Sequence, residues 1–151
     1  MRIFLLVLVA FVLFGCFEQN DCLINNTNIL KIALKNKASG KDTTVTFSSI
    51  QALGVINGDI DVSKPFVGLV SIPVQINDSV TTVVFKYTNK LKTKSDTLVV
   101  TYRNETRVIS IDCGAFLYQH DLAVPKTNFE KVRVITSVLL TTDKKNLEIF
   151  L

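Results

Sequence analysis

The sequence predicts an all-β fold built from short antiparallel strands. Three observations point there. From Ile29 onward apolar and polar residues alternate with a period of two, the mark of half-buried strands. The alternating runs are separated by short clusters of Asn, Gly, Asp and Lys at fairly regular spacing. No stretch of about 10 residues or more keeps an amphipathic helical period. Together they predict an antiparallel β-sandwich, immunoglobulin-like or Greek-key in type, of about eight strands. A small β-barrel is the alternative.

The N-terminus obeys different rules. Arg2 is followed by an unbroken apolar run of twelve residues, Ile3 to Phe14. That is too short for a helix spanning a bilayer, which needs about 20 apolar residues, but it fits the apolar core of a signal peptide. Leu13-Phe14-Gly15-Cys16 closes the run with a small residue before a cysteine. This resembles the lipobox of bacterial lipoproteins, with Leu13, Gly15 and Cys16 matching and Phe14 bulkier than that pattern usually has. The resemblance implies a signal peptide at residues 1–15, acylation of Cys16, and a lipidated tether over residues 16–28. Three acyl chains would anchor the protein durably, since each buried methylene adds about 0.8 kcal/mol. The alternative is an ordinary signal peptide cut near Gly15, with Cys16 a spare thiol.

Residues 29–151 are then the sandwich domain. Leu30, Ile32 and Leu34 share one face of the first strand, Lys31 and Lys35 the other. Asn36 to Asp42 reads as a turn, and Thr43 to Phe47 resumes β-branched character. Asn57-Gly58, flanked by Val55-Ile56 and Ile60, is a strong hairpin signal. Phe66, Gly68, Val70, Ile72 and Val74 alternate next, and Pro73 places that strand at an edge or a bulge because it cannot donate to a ladder. Val83, Phe85 and Tyr87 form another inward face, followed by Leu98, Val100 and Tyr102. Arg103 to Thr106 reads as a tight turn into Arg107 to Cys113, whose parity directs Cys113 inward. Gln119 to Glu130 shows no period; Lys131 to Thr142 is a long strand candidate, and Leu147 to Leu151 is β-like.

The net charge of +4 is too mild to indicate a nucleic-acid partner, and an export signal argues against one. With Cys16 assigned to lipid, Cys22 and Cys113 remain in a chain sent to an oxidising compartment, where they are expected to pair. The bond would close about 90 residues and contribute about 4.6 kcal/mol in the chain-entropy model. Two buried free thiols are the alternative.

Other chemistry is sparse. His120 is the sole histidine, followed by Asp121, but no G-x-S-x-G elbow accompanies it; a surface histidine in a loop is the expectation. Asp59 and Asp61 supply too few oxygens for a calcium site, which takes six to eight, and no zinc cluster exists. Neither metal nor cofactor is expected. Lys86, Lys90, Lys92 and Lys94 crowd one turn, where edge lysines discourage sheet-to-sheet aggregation or could meet an anionic partner. Asn25, Asn77 and Asn104 each begin an Asn-X-Ser/Thr triplet, which has no role behind a bacterial export signal.

Glu18, Asp21, Cys22 and Cys113-Gly114 resemble the corresponding places of uncharacterised small lipoproteins of Bacteroidota. The resemblance implies location and fold but no activity. It implies an envelope site, the outer membrane, and candidate O-glycosylation at Thr43, Ser79 and Thr97, each preceded by Asp. The functional expectation is a non-catalytic envelope lipoprotein that binds or scaffolds a protein or glycan partner. A second reading is a lipoprotein binding a sugar or peptide in a cleft lined by Phe116, Tyr118 and Phe129. A hydrolase ranks last, for want of an assembled acid, base and nucleophile.

Overall fold

The computed structural model describes residues 28–89, 92–110, 114–139 and 144–151. The leader, Cys16, the tether up to Thr27, and both disulfide candidates, Cys22 and Cys113, lie outside them. The described residues form strands and no helix. In chain order these are β1 (Ile29–Lys35), β2 (Thr44–Val45), β3 (Phe47–Ala52), β4 (Asp59–Ile60), β5 (Phe66–Val67), β6 (Leu69–Pro73), β7 (Val80–Asn89), β8 (Lys92–Ser110), β9 (Gly114–Thr127), β10 (Lys131–Val134) and β11 (Leu147–Phe150).

Two sheets face each other, in the orders β10-β11-β1-β6 and β4-β3-β7-β8-β9, with a small β2-β5 ladder beside them. Neither closes into a barrel. Their inward residues make a single core: Leu30, Ile32 and Leu34 of β1, Val70 and Ile72 of β6, and Leu147 and Ile149 of β11 meet Ile50, Val83, Phe85, Leu98 and Val100 of the second sheet. Phe85 sits at its centre, fully buried, 5.6 Å from Phe47 and 5.3 Å from Phe129 between ring centroids. One pair departs from the antiparallel pattern: β11 lies parallel to β1, with Ile32 opposite Leu147 and Leu34 opposite Ile149. Pro73 ends β6, an edge strand, where its missing N–H leaves no inner ladder bond unmade.

Four elements differ from the sequence reading, each for a local reason. Val55-Ile56 is not a hairpin arm; the loop spans 53–58 and joins β3 to β4 through an Ala52 N–H bond to the Gly58 carbonyl. Asn57 takes the left-handed conformation (φ 56°), and a Cβ on Gly58 would fall 2.2 Å from the Ala52 carbonyl oxygen, so only glycine fits. The tight turn expected at Arg103 to Thr106 is absent, because Asn104 spends its polar side chain on other segments and β8 runs unbroken for 19 residues.

Gln119 to Glu130 is mostly strand. Its period is hidden by a register shift beside Asp121, which has φ 57°. The extra residue lets Gln119 and Leu122, three apart, both point inward. Finally, β10 stops at Val134, and the chain leaves it to bond with β9, Ser137 accepting from Leu122 N–H and Leu139 N–H donating to Gln119.

Phe85→Ala is expected to lower unfolding free energy by about 4 kcal/mol in urea titration. Exposed Lys86→Ala, one residue away, should change it by less than about 0.5 kcal/mol.

Candidate interaction surface

The register of β8 makes the most distinctive surface. β7 pairs with it only from Asn89 opposite Lys92 to Val80 opposite Thr101. β9 pairs with it from Leu98 opposite Thr127 to Ser110 opposite Gly114. Beyond Thr101, therefore, β8 and β9 continue past β7 as a two-stranded arm.

The arm is rooted in a ring of hydrogen bonds. Gln75 N–H donates to Thr81 Oγ1 (2.9 Å), the Thr81 hydroxyl meets Tyr102 Oη (2.7 Å), and Tyr102 Oη donates to the Gln75 carbonyl (2.7 Å). Gln119, fully buried, adds Nε2 bonds to the same carbonyl (3.0 Å) and to Asn104 Oδ1 (2.9 Å). Asn104 in turn donates to the carbonyls of Ile76 (3.3 Å) and Asp78 (2.9 Å). The Thr81–Tyr102 bond is buried and the Gln75 and Gln119 bonds are part-buried, so these polarise one another, while the exposed Asn104 bonds tie β8 to the 76–78 loop. Burial, countered in part by the Thr81 bond, raises the Tyr102 phenol above its ordinary pKa, so it stays a donor.

One face of the arm carries Phe116, Tyr118 and His120 opposite Arg107, Glu105 and Arg103. The Arg107 guanidinium lies 3.8 Å from the Tyr118 ring centroid and 3.1 Å from Glu105, whose carboxyl it holds below the usual range. His120 stacks on Tyr118 and places Nε2 3.3 Å from Glu105 and Nδ1 3.2 Å from Asp121. His120 is thus on a strand, not in a loop, and its described contacts are two carboxylates and a ring. The three aromatics expected to share a cleft are not brought together: Phe129 is in the core against Phe85.

The remaining candidates are scattered. Asp61 bonds the Ser63 N–H, which lowers its pKa, while Asp59 pairs with Gln51. Among the described residues no three His, Cys, Asp or Glu side chains group as a metal site. Lys94 lies 3.1 Å from buried Asp96, which also accepts from Tyr87 Oη at 2.5 Å. Lys86 is exposed on β7, Lys92 begins β8, and Lys90 lies outside the described residues. Of the candidate glycan acceptors, Ser79 is exposed in the 76–79 loop, Thr43 is half-buried, and Thr97 lies within β8 behind buried Asp96.

Sequence reasoning missed a second feature, on the outer face of the first sheet. Glu148, 8% exposed, meets Lys145 (2.6 Å), Arg133 (3.6 Å) and Lys35 (4.0 Å). The Lys145 bond holds its carboxyl below the usual range. Beside it a groove of about 570 Å³ is lined by Ala33, Leu69, Ile135, Thr136, Lys144 and Lys145. Lys35 pairs most closely with Asp42 (2.6 Å), seven positions on; its second carboxylate, Glu148, is 113 positions later and was not visible.

A family of unknown function (DUF6452) matches residues 49–151, which takes in both strands of the arm and β11 but not β1. No curated protein and no solved structure matches the chain.

Tyr102→Phe is expected to cost about 1.5 kcal/mol and to speed amide exchange along 103–110 and 114–120 while β3 and β7 stay protected. Glu148 contributes stability above its unfolded pKa and loses it as pH falls through its lower folded value. Unfolding free energy should therefore drop on acidification below about pH 4.3, and Glu148→Gln should flatten that drop. At neutral pH the same substitution is expected to cost about 2 kcal/mol, below the range for a fully buried pair because Lys145 and Arg133 can rehydrate.

Proposed function

The chain belongs to that family of unknown function, and we propose that it is a non-catalytic lipoprotein of the cell envelope that binds or scaffolds a partner. In this reading acyl chains on Cys16 hold it to the outer membrane and a Cys22–Cys113 disulfide braces it. The observation that carries the proposal is the leader: one arginine, twelve apolar residues, and Gly15 before Cys16.

Chain reach supports the brace. The Asn28 carbonyl accepts from Val74 N–H, and Gln119 bonds the Gln75 carbonyl next door. From these neighbouring points each cysteine is six residues away, a span of at most about 20 Å on either side. The equal lengths allow the two sulfurs to meet near the arm's tip, where a disulfide would join the tether to a hairpin that is otherwise held only at its root.

Intact mass of the protein purified from the envelope tests both parts. The expected species begins at Cys16, carries acyl chains, and takes up a thiol label on Cys22 and Cys113 only after reduction. An unacylated Cys16 ends the anchor, and labelling without reductant ends the brace. The reading with a small bound ligand draws on the groove beside Lys144 and Lys145, whose apolar floor and rim of both signs, Asp42 beside the two lysines, suit a sugar or peptide. Loss of such binding in Lys145→Ala, with Glu148 retained, would favour it.

A further inference from the structure

The described residues include nine large apolar side chains left well exposed. Five of them, Leu53 (44%), Ile56 (84%), Ile76 (45%), Val80 (39%) and Val108 (74%), belong to one end of the sandwich. Hydrogen bonds tie that end together: Gln75 Nε2 donates to the Gly54 carbonyl, Leu53 N–H to the Thr82 carbonyl, Tyr102 N–H to the Ser79 carbonyl, and Asn104 Nδ2 to the Ile76 carbonyl. Val108 stands further out on the arm, opposite Ala115. Asn28, bonded to Val74, lies at the same end. Asn28, the first described residue, is therefore at the end that carries five of the nine; of the other four, Val67, Leu69 and Ile135 line the groove beside Lys145. Lys35, Lys37, Lys41 and Lys94 lie toward the other end, with the C-terminal Leu151 bonded to Lys35 and Lys37.

Scattered exposed apolar residues need no explanation, but five gathered at one end mark a contact. We infer that this end is a membrane-docking face, in which Ile56, Ile76 and Val108 enter the interfacial zone of the bilayer that holds the acyl chains. The inference rests on the lipid anchor proposed above. Residues 16–28 reach at most about 40 Å and join the domain at this end, so an acylated Cys16 brings this end to the surface with the least extension, while the lysine-bearing end lies about 23 Å further off along β1. Tyr118 and Phe116 on the arm are residue types that settle at headgroup level. The two cations on the arm itself are matched, Arg107 by Glu105 at 3.1 Å and Arg103 by Asp121 at 3.8 Å. The contact is therefore apolar, insensitive to salt, and does not require anionic lipid.

The chain contains no tryptophan, so a single introduced one reports its own surroundings. Full-length protein carrying Ile56→Trp, Val108→Trp or, at the far end, Val67→Trp is purified with its acyl chains and reconstituted into phosphatidylcholine vesicles. Position 67 is 77% exposed and serves as the control. Acyl-chain bromination should quench positions 56 and 108 at least about twofold more than 67, with blue-shifted emission unchanged by added salt. Acylated protein that floats with the vesicles, yet quenches equally at all three sites, overturns the docking and leaves the anchor standing. Protein that carries no acyl chain and does not float overturns both. Blue-shifted emission at 56 and 108 without lipid quenching, in a species of twice the mass, overturns the docking in favour of a second copy of the chain.

Discussion

A strand of 19 residues cannot be matched along its length by neighbours of 10 and 14. β8 divides its hydrogen bonds instead, giving its first half to β7 and its second to β9, with overlap only around Leu98 to Thr101. Only in that overlap is β8 flanked on both sides, and there Leu98 and Val100 are fully buried. Beyond Thr101 the sheet narrows to the β8–β9 ribbon; at the other end β3 still flanks β7 as far as Tyr87, and only Thr88–Asn89 opposite Lys92–Thr93 form a short two-stranded ribbon. An isolated hairpin is marginal in water, so each ribbon survives by what holds its root. At the lysine end that is the Tyr87–Asp96–Lys94 cluster; at the arm end it is the ring through Gln75, Thr81 and Tyr102.

The arm's root does more than hold a hairpin. Gln75 belongs to the connection after β6, Thr81 to β7, Tyr102 and Asn104 to β8, and Gln119 to β9. Because β6 and β7 lie in different sheets, this network fastens the two layers at one end. The same connection accepts the first described residue through Asn28 and Val74. A load applied at Asn28 is thus delivered to this network, and Asn28 and Leu151 are held toward opposite ends by the parallel β1–β11 pair. Gln119 Oε1 has no partner among the described residues, which makes the amide's orientation depend wholly on its two Nε2 bonds.

What could be read in the sequence was whatever depends on period two. The inward faces of β1, β7 and the first half of β8 were legible residue by residue, as was the edge position of Pro73. What failed depended on partners distant in sequence. Asn104 has the composition of a turn, and only the carbonyls of Ile76 and Asp78 explain why it is in a strand. Asp121 adds one residue to β9 and reverses its parity, so an alternating strand looks aperiodic. The arm was invisible for the same reason. Its residues were noted singly, Phe116, Tyr118, His120 and Asp121, but a projecting hairpin follows from register, and register cannot be read off one strand. Glu148 met a similar fate, since three cations converge on it from β1, β10 and the segment before β11.

A tether alone leaves a domain free to tumble within its reach, so every face meets the surrounding medium about equally. A second contact, even a weak one, changes this, because the tether holds it at high effective concentration. An apolar end adjoining the tether therefore needs little intrinsic affinity to set orientation, and an apolar contact loses nothing to screening. Were that end turned to the bilayer, the groove beside Glu148 would lie on the flank and the lysines around Lys94 at the top. The partner-binding surface of such a protein would then be sought away from the membrane, where charge dominates. The burial of Asp96 and Glu148 against those cations keeps that charge fixed in place.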